Sequence, residues 1–334
     1  MKLADLGEFE LIHRFAENFR SGLPAGVVGI GDDAAVLPWD AEKSLLVTTD
    51  MLVENVHFLR SEIAPQDLGY KSVAVNLSDI AGIGGTPTSL FLSWALPPDL
   101  DVDWVDHFFK GMKELTDQHG VHLLGGDTTR GSSIVINITV LGQVGTEDVK
   151  VRSSAQHGDV LCVTSTLGDS AAGLQIILQN KPRTGPAEIL LRRHHRPEAQ
   201  VAQGRWLAAR REVHAMMDIS DGIASDLSRI AESSACGAEV DLQRLPISPE
   251  MATVCKANGW DAVDLATGGG EDYGLLCTVA APAALKLAEE FQDHFHRPLF
   301  LIGKITFEKG QVKFLSQGQE KVLKGWDHFL GAKK

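Results

Sequence analysis

The 334-residue sequence is poor in aromatics, at 6% with two tyrosines, and short of positive charge: 31 Lys and Arg face 44 Asp and Glu, for a net charge of −13. An acidic chain lacks the basic field that draws proteins to nucleic acid or anionic membrane, so neither is expected as a partner. Its four cysteines, Cys162, Cys236, Cys255 and Cys277, make no C-x-x-C pair and no Cys/His cluster with zinc spacing. They read as small buried hydrophobes in a reducing compartment. No run nears 18 uncharged apolar residues, and the opening Met1-Lys2-Leu3-Ala4-Asp5-Leu6-Gly7-Glu8 turns acidic at once. Neither a membrane span nor a secretory signal is read here, and the expected compartment is the cytoplasm. Common nucleotide and hydrolase motifs are also missing: there is no G-x-x-x-x-G-K-[ST] and no G-x-S-x-G. Gly29-Ile30-Gly31-Asp32-Asp33-Ala34 fits G-x-G-x-x-A, but two aspartates inside that loop would repel a pyrophosphate unless metal ions bridged them.

What is present is 44% hydrophobic content and 33 glycines, about a tenth of the chain and without period. That composition excludes disorder and points to tight turns and close backbone approaches. At about 100 to 200 residues per domain, the length suggests two domains. The chain turns polar from Gly145-Thr146-Glu147-Asp148 to Gln156-His157-Gly158, which places a boundary between 1–148 and 149–334. Helical spacing predicts helices at Glu8 to Arg20, Pro65 to about Ile80, about Asp103 to His119, Gly168 to about Gln179, about Pro197 to Arg210 and about Asp221 to Ser233. Strands are expected at Ser44 to Thr49, ending on Asp50, and at Val121 to Leu124, ending in Gly125-Gly126-Asp127. Further strands are expected at Ile134 to Val140, Asp159 to Thr164, Ala238 to Leu242, Gly274 to Val279 and Leu299 to Ile305. The segment Asn180 to Pro186 reads as a surface loop. Strands and helices mixed in both halves predict two α/β or α+β domains.

One pattern recurs: an aspartate beside a small or hydroxylated neighbour, at a strand end or glycine turn. It occurs in Gly31-Asp32-Asp33-Ala34, Thr48-Thr49-Asp50, Asn76-Leu77-Ser78-Asp79, Gly125-Gly126-Asp127-Thr128-Thr129, Asp218-Ile219-Ser220-Asp221-Gly222 and Gly268-Gly269-Gly270-Glu271-Asp272. Carboxylates are the hard oxygen ligands that Mg²⁺ prefers, and glycine lets a phosphate approach the backbone. Aspartate beside glycine is also ordinary turn and capping chemistry. Three features favour ligation. No Lys or Arg lies within four residues of the adjacent Asp32 and Asp33. Asp79 falls near a helix C-terminus, where the macrodipole disfavours a carboxylate. The stretches Leu45-Leu46-Val47, His122-Leu123-Leu124 and Ala215-Met216-Met217 each deliver an aspartate to an expected strand end, where open sheets place ligands. Together they suggest a multi-metal anion site. His13, His194, His195 and His294 stand in charged helical contexts and read as surface residues, whereas His57 lies close to the metal candidates.

These motifs, with Thr49-Asp50 followed by His57-Phe58, Gly168-Asp169-Ser170-Ala171-Ala172-Gly173 and Gly269-Gly270-Glu271-Asp272-Tyr273, resemble the thiamine-monophosphate kinase family. The resemblance runs in order from Gly7-Glu8-Phe9 to Trp326-Asp327-His328-Phe329. It implies the two-domain fold of aminoimidazole ribonucleotide synthetase, with N-terminal domains pairing into a homodimer and ATP in a cleft between domains. It also implies ATP-dependent phosphorylation of thiamine monophosphate to thiamine diphosphate with several Mg²⁺ ions. Carried over by position, the metal ligands are Asp32, Asp33, Thr48, Thr49, Asp50, Asp79, Asp127, Asp218 and Asp221, with Asp50, Asp79 and Asp218 at the catalytic centre. ATP contacts fall on Phe109, Gly126, Asp127, Arg152 and Ser220, and substrate contacts on His57, Glu271 and Trp326.

The residues suit that chemistry. A phosphate monoester acceptor with a second pKa of about 6 needs no general base near neutral pH; it needs charge neutralisation. Arg152 is a candidate phosphate clamp, Trp326 a cation–π partner for the thiazolium or a stacking partner for the pyrimidine, and Glu271 an acceptor for the aminopyrimidine hydrogen. Within the superfamily, selenophosphate synthetase requires an N-terminal Cys or selenocysteine, yet no Cys precedes Cys162. The hydrogenase-maturation relative requires a C-terminal cysteine that is absent here. Aminoimidazole ribonucleotide synthetase, a Mg²⁺-dependent phosphatase and a non-catalytic nucleotide sensor stand as alternatives.

Overall fold

The computed structural model describes Ile12 and residues 23–321. The expected helix at Glu8 to Arg20, His13 and Trp326 lie outside the described residues. Two sheets organise the rest. In the first, the order is β1-β2-β5-β3-β4, from β1 (Ala35–Pro38), β2 (Lys43–Val53), β3 (Thr86–Leu96), β4 (His122–Arg130) and β5 (Val135–Gly145). Only the β3–β4 pair is parallel. The second has the order β12-β11-β8-β10-β6-β9-β7, from β6 (Val160–Val163), β7 (Val213–Asp218), β8 (Gly237–Asp241), β9 (Leu275–Val279), β10 (Phe300–Thr306), β11 (Val312–Ser316) and β12 (Gln319–Glu320). Its inner strands are apolar on both faces, as Leu275-Leu276-Cys277-Thr278-Val279 shows, because both faces are covered.

Among the described residues the helices are α1 (Pro65–Gly82), α2 (Val102–His119), α3 (Asp169–Leu178), α4 (Pro186–His195), α5 (Val201–Ala208), α6 (Ile223–Ser233), α7 (Pro249–Asn258), α8 (Ala262–Gly268) and α9 (Ala284–Phe295). None is long and apolar enough to cross a membrane. The first of them explains how the halves fit. Pro65 starts α1, and Leu68, Val73, Ala74, Val75, Leu77, Ile80 and Ala81 bury it on all sides, the signature of a helix enclosed by protein. One side packs on β2 and β5 and another on β7, so α1 lies between the two sheets. One apolar core accordingly joins Leu46, Ile138 and Val140 to Met216, Cys277 and Phe291, while a second lies on the far face of the second sheet. All four cysteines are buried and free.

Several expectations need correction. The strand expected to end on Asp50 continues to Val53, and the one expected to end before Gly125 runs through Asp127 to Arg130. In each case the ladder, not the local turn chemistry, sets the end. Of the three aspartates expected at strand ends, only Asp218, the last residue of β7, stands at one, and β7 pairs antiparallel with β9. Pro186 opens α4 rather than closing a loop, and α7, α8, α9, β1, β3, β11 and β12 had no counterpart in the sequence reading.

Helices α1 and α2 cross in backbone contact. A Cβ on Gly69 would lie 1.9 Å from the Phe108 carbonyl oxygen, and one on Gly111 would lie 1.7 Å from that of Gln66. Gly69→Ala or Gly111→Ala should therefore force the helices apart and lower stability by about 1–3 kcal/mol, read as a reduced urea midpoint at unchanged m-value. An unchanged midpoint would contradict this crossing.

Candidate active site between the two sheets

The seam along α1 gathers the carboxylates. Alternation along β2 turns Thr48 and Asp50 toward α1 and Thr49 to the other face. Thr48 Oγ1 donates to Asp79 Oδ2 at 2.5 Å, and the Asp50 amide donates to Asn76 Oδ1 at 3.0 Å. From the second sheet, Asp218 is 1% exposed; its amide donates to Asp33 Oδ2 at 3.1 Å and its Oδ2 accepts from Ser78 Oγ at 2.7 Å. Gly82 permits this approach, since a Cβ there would lie 2.0 Å from Asp33 Oδ2 and 3.0 Å from the Asp218 amide. Asp33, Asp79 and Asp218 thus meet where α1 ends.

Like charges brought together out of water hold their protons more tightly. Desolvation, followed by Asp221 and Asp33, raises Asp50 to about 6. Desolvation, then Asp50, Asp218 and Asp33, pushes Asp79 well above the carboxylate range, and desolvation with Asp33 does the same to Asp218. Although half-buried by accessible surface, Asp50 is surrounded closely enough for desolvation to dominate.

Protein cations answer part of this charge. Arg152, buried, directs Nε to Asp33 Oδ1 at 2.9 Å, with Nη2 on the same oxygen, and its amide donates to Asp32 Oδ2 at 3.0 Å. The guanidinium missing from the local sequence of Asp32 and Asp33 therefore arrives from the start of the second half. Asp32 is still raised to about 7, by burial and then by Asp33. Arg229 pairs with Asp221, whose amide donates to Asp226 Oδ2 at 3.1 Å. Asp226 Oδ1 is buried with no hydrogen-bond partner among the described residues; burial raises Asp226 to about 7. No three His, Cys, Asp or Glu side chains among the described residues form a preformed coordination group. The donor set still fits a hard divalent cation: oxygen ligands, mutual repulsion and a buried Asp226 oxygen that makes no hydrogen bond among the described residues and has the Arg229 guanidinium at 3.9 Å.

Residues 31–144 match the model of AIR synthase related protein, N-terminal domain, and residues 156–314 that of the C-terminal domain. The chain is 39% identical over 330 residues to thiamine-monophosphate kinase of Escherichia coli K12, covering 97% of this chain and 98% of that protein. It is 36% identical over 330 residues to the enzyme of that name from Aquifex aeolicus, covering 98% and 100%. The chain belongs to the thiamine-monophosphate kinase family. A solved structure described as AaThiL complexed with AMPPCP and TMP superposes with a TM-score of 0.86 at 33% identity, covering 98% of this chain and 99% of that one. The hydrogenase maturation protein HypE in complex with ATP, at 20% identity and a TM-score of 0.70 over 92% and 93%, shares the fold.

The other positions carried over from the thiamine-monophosphate kinase pattern are dispersed. Asp127 and Gly126 lie on the exposed edge strand β4, opposite Ser93 and Leu92. Two strands separate β4 from β2, and Trp94 Nε1, donating to Thr128 Oγ1 at 2.8 Å, sets Thr128 on the face of the Trp94 ring and Asp127 on the other. Within one chain Asp127 is therefore about 14 Å from the Asp50 strand. The Thr49 hydroxyl donates to the Ile138 carbonyl at 3.2 Å, away from the cluster. Phe109 packs edge-on against Trp94 at 5.3 Å. His57 Nδ1 accepts from the Val53 amide at 3.0 Å. Ser220 and Glu271 meet directly, the Glu271 amide donating to the Ser220 carbonyl at 2.7 Å.

His194 is not the expected surface residue. It is 6% exposed, its Nδ1 2.9 Å from Ser170 Oγ and 3.2 Å from Glu271 Oε2. Gly173 lets α4 approach α3 closely, for a Cβ there would lie 2.6 Å from the Leu190 carbonyl oxygen. His195 is half-buried, again not a surface residue, while His294 is exposed as expected. Lys71, absent from every sequence expectation, is 1% exposed and reaches Glu271 Oε2 at 3.0 Å.

The raised carboxylates have a consequence for stability. A group that holds its proton more tightly when folded stabilises below its unfolded pKa, near 3.9, and loses that contribution as pH rises through the folded value. For Asp50, Asp32, Asp226 and Asp272, those folded values are about 6, 7, 7 and 8. Burial lowers His194 and His195, which act oppositely but only below about pH 6.5. Chelator-treated protein should accordingly lose stability from about pH 6.5 to 8.5, by up to about 1.4 kcal/mol per pH unit for each carboxylate still titrating. A flat or rising Tm over that interval would refute the burial of these carboxylates, Asp272 among them at the Gly168 and Ser170 amides.

Proposed function

We propose that the chain transfers the γ-phosphoryl group of ATP directly to the phosphate of thiamine monophosphate, giving ADP and thiamine diphosphate, the last step of thiamine diphosphate biosynthesis. The observation that carries this reading is the buried carboxylate seam, set between the two sheets of a chain 39% identical to a thiamine-monophosphate kinase. An acceptor phosphate oxygen attacks the γ-phosphorus in line as the bond to the bridging oxygen of ADP breaks. The acceptor is largely dianionic near neutral pH, so no base is required of the protein. Its residues position two anions and offset their repulsion.

Mg²⁺ is the proposed metal, supported by the all-oxygen donor set; when bound, it would neutralise the phosphate oxygens and the charge that builds during transfer. Asp33, Asp50, Asp79, Asp218 and Asp221 would hold it, with Asp32 beside them and Thr48 contributing an oxygen; Thr49, its hydroxyl turned to the other face, would contribute only through its carbonyl oxygen. Arg152 would supply further positive charge to the phosphates of ATP, and Ser220 would orient them. Phe109 and Gly126 are proposed near the nucleotide, and His57, Glu271 and Trp326 near thiamine monophosphate. Asp127 fits this set least directly, being on the far face of an edge strand.

A homodimer through the first sheet is proposed as well. It is supported by exposed Met51, Phe91, Leu123 and Leu124 and by the β4 edge, which no strand pairs among the described residues, features that monomers usually cover. The domain boundary is taken at 148/149, in the interval between the two matched ranges. A cytoplasmic location is supported by the four free, buried thiols.

Purified protein given ATP, Mg²⁺ and thiamine monophosphate should form ADP and thiamine diphosphate in equal amounts. Phosphate release without ATP would mark a phosphatase instead, and ATP binding without ADP a sensor. Asp50→Asn should lower kcat by at least about a hundredfold while leaving metal-free Tm equal or higher, since it removes a repelled charge. Near-normal turnover would remove Asp50 from the catalytic centre. Millimolar Mg²⁺ should raise the wild-type Tm and raise that of Asp50→Asn less; equal shifts would place the metal elsewhere.

A further inference from the structure

A second ionic cluster on α1 lies about two helical turns before Asp79, and its carboxylate, Glu271, borders Ser220 and Asp221. Lys71 projects from the N-terminal half of the helix, almost wholly buried, and its Nζ meets Glu271 Oε2 at 3.0 Å. His194 Nδ1 approaches the same oxygen at 3.2 Å. Because a carboxylate cannot donate, this geometry calls for a proton on Nδ1; burial and the Lys71 charge push His194 well below its ordinary range and favour the neutral ring. Glu271 itself is in the left-handed region, with φ 63°, held there by its amide bond to Ser220. Both cluster contacts fall on Oε2. Oε1 has no hydrogen-bond partner among the described residues, and the side chain is 25% exposed.

A buried ammonium is retained where its charge has a task, because an isolated one is costly to bury. Here it joins the two halves: Lys71 belongs to the first, Glu271 and His194 to the second. Other polar contacts accompany it along the same side of α1. Arg196 bonds Asp67 at 3.0 Å and lies over the Tyr70 ring at 4.0 Å.

We propose that Lys71 is a positioning residue that, with His194, holds the Glu271 carboxylate by one oxygen so that its other oxygen recognises the exocyclic amine of the substrate's heteroaromatic ring and excludes rings bearing a carbonyl there. The proposal rests on the reading of Glu271 as a substrate contact and assigns what orients it. A carboxylate accepts an N–H hydrogen bond but repels a carbonyl oxygen, so the site selects an amino ring over its oxo counterpart. Without Lys71, Glu271 loses its anchor on Oε2, and its other oxygen is no longer held toward the ring. A carboxylate free to turn aside neither selects the amino ring nor repels the oxo ring.

The test measures kcat/KM for thiamine monophosphate and for its 4-oxo analogue, with KM for ATP and Tm measured in parallel. Wild type should prefer the amino substrate by about tenfold or more. Lys71→Met should lower that preference at least fivefold, mainly through KM for thiamine monophosphate, with KM for ATP within twofold. Lys71→Arg, which keeps the charge, should retain more of the preference than Lys71→Met. If Lys71→Met does not melt cooperatively, Lys71→Gln carries the same expectations. A purely structural role would lower Tm and leave the preference intact, which overturns the proposal. Glu271→Gln separates the two layers. If it erases the preference while Lys71→Met does not, the orienting role fails and the Glu271 contact stands. If Glu271→Gln leaves both KM and preference unchanged, the contact itself fails, and the proposal with it.

Discussion

Several carboxylates share one desolvated seam at the end of α1, and their mutual repulsion is the constraint around which this fold is arranged. Asp33, Asp79 and Asp218 come from three separate segments, and Asp33 and Asp218 can approach because Gly82 carries no side chain. Hydroxyls of Thr48 and Ser78 and the guanidinium of Arg152 satisfy part of the charge. A core of apolar residues would not tolerate such an arrangement by itself. The two sheets clamp α1 from either side, and that packing offsets the repulsion. The acidic excess of the composition is therefore partly local: charge is concentrated where a phosphoryl-transfer site needs cations, instead of being spread over a solvated surface.

Much of this could be read along the chain because the chemistry was written in short local motifs. Thr48-Thr49-Asp50, Ser78-Asp79 and Asp218-Ile219-Ser220-Asp221 each carry a carboxylate with its small or hydroxylated neighbour, and each turned out to line or adjoin the seam. How they are presented was less legible. Asp50 faces α1 through the pleat of a strand that runs past it, since an antiparallel ladder with β5 extends the strand beyond its local apolar run. Asp127 shares the motif style but not the location, because which edge a strand occupies is decided by pairing partners far away in sequence.

Two residues were hidden for different reasons. His194 sits in Arg192-Arg193-His194-His195-Arg196, a run whose charge suggests solvent, but on α4 only one side of that run is wet. Leu190, Leu191 and His194 make the buried side. Lys71 did carry a signal. It lies three residues after Leu68 and four before Val75, squarely in the buried face of α1. Helical spacing alone marks a lysine there as one that must have a partner. Glu271 could not be named from sequence as that partner, because 200 residues separate them.

The two ionic clusters on α1 also define a length. Lys71 and Asp79 are eight residues apart on one helix, about 12 Å at 1.5 Å per residue. One end of this ruler fixes a carboxylate with a free oxygen at the domain junction; the other gathers the carboxylates suited to hold cations. A substrate recognised by its ring at the first end and reacting through its phosphate at the second must span that interval. A phosphorylated two-ring molecule can do so, whereas a free phosphate or an isolated heterocycle can satisfy only one end. On the proposed reading, spacing along a buried helix would link recognition to reaction. The same helix explains why the site needs both halves of the chain, since each cluster pairs a residue of α1 with a carboxylate from the second sheet or its loops.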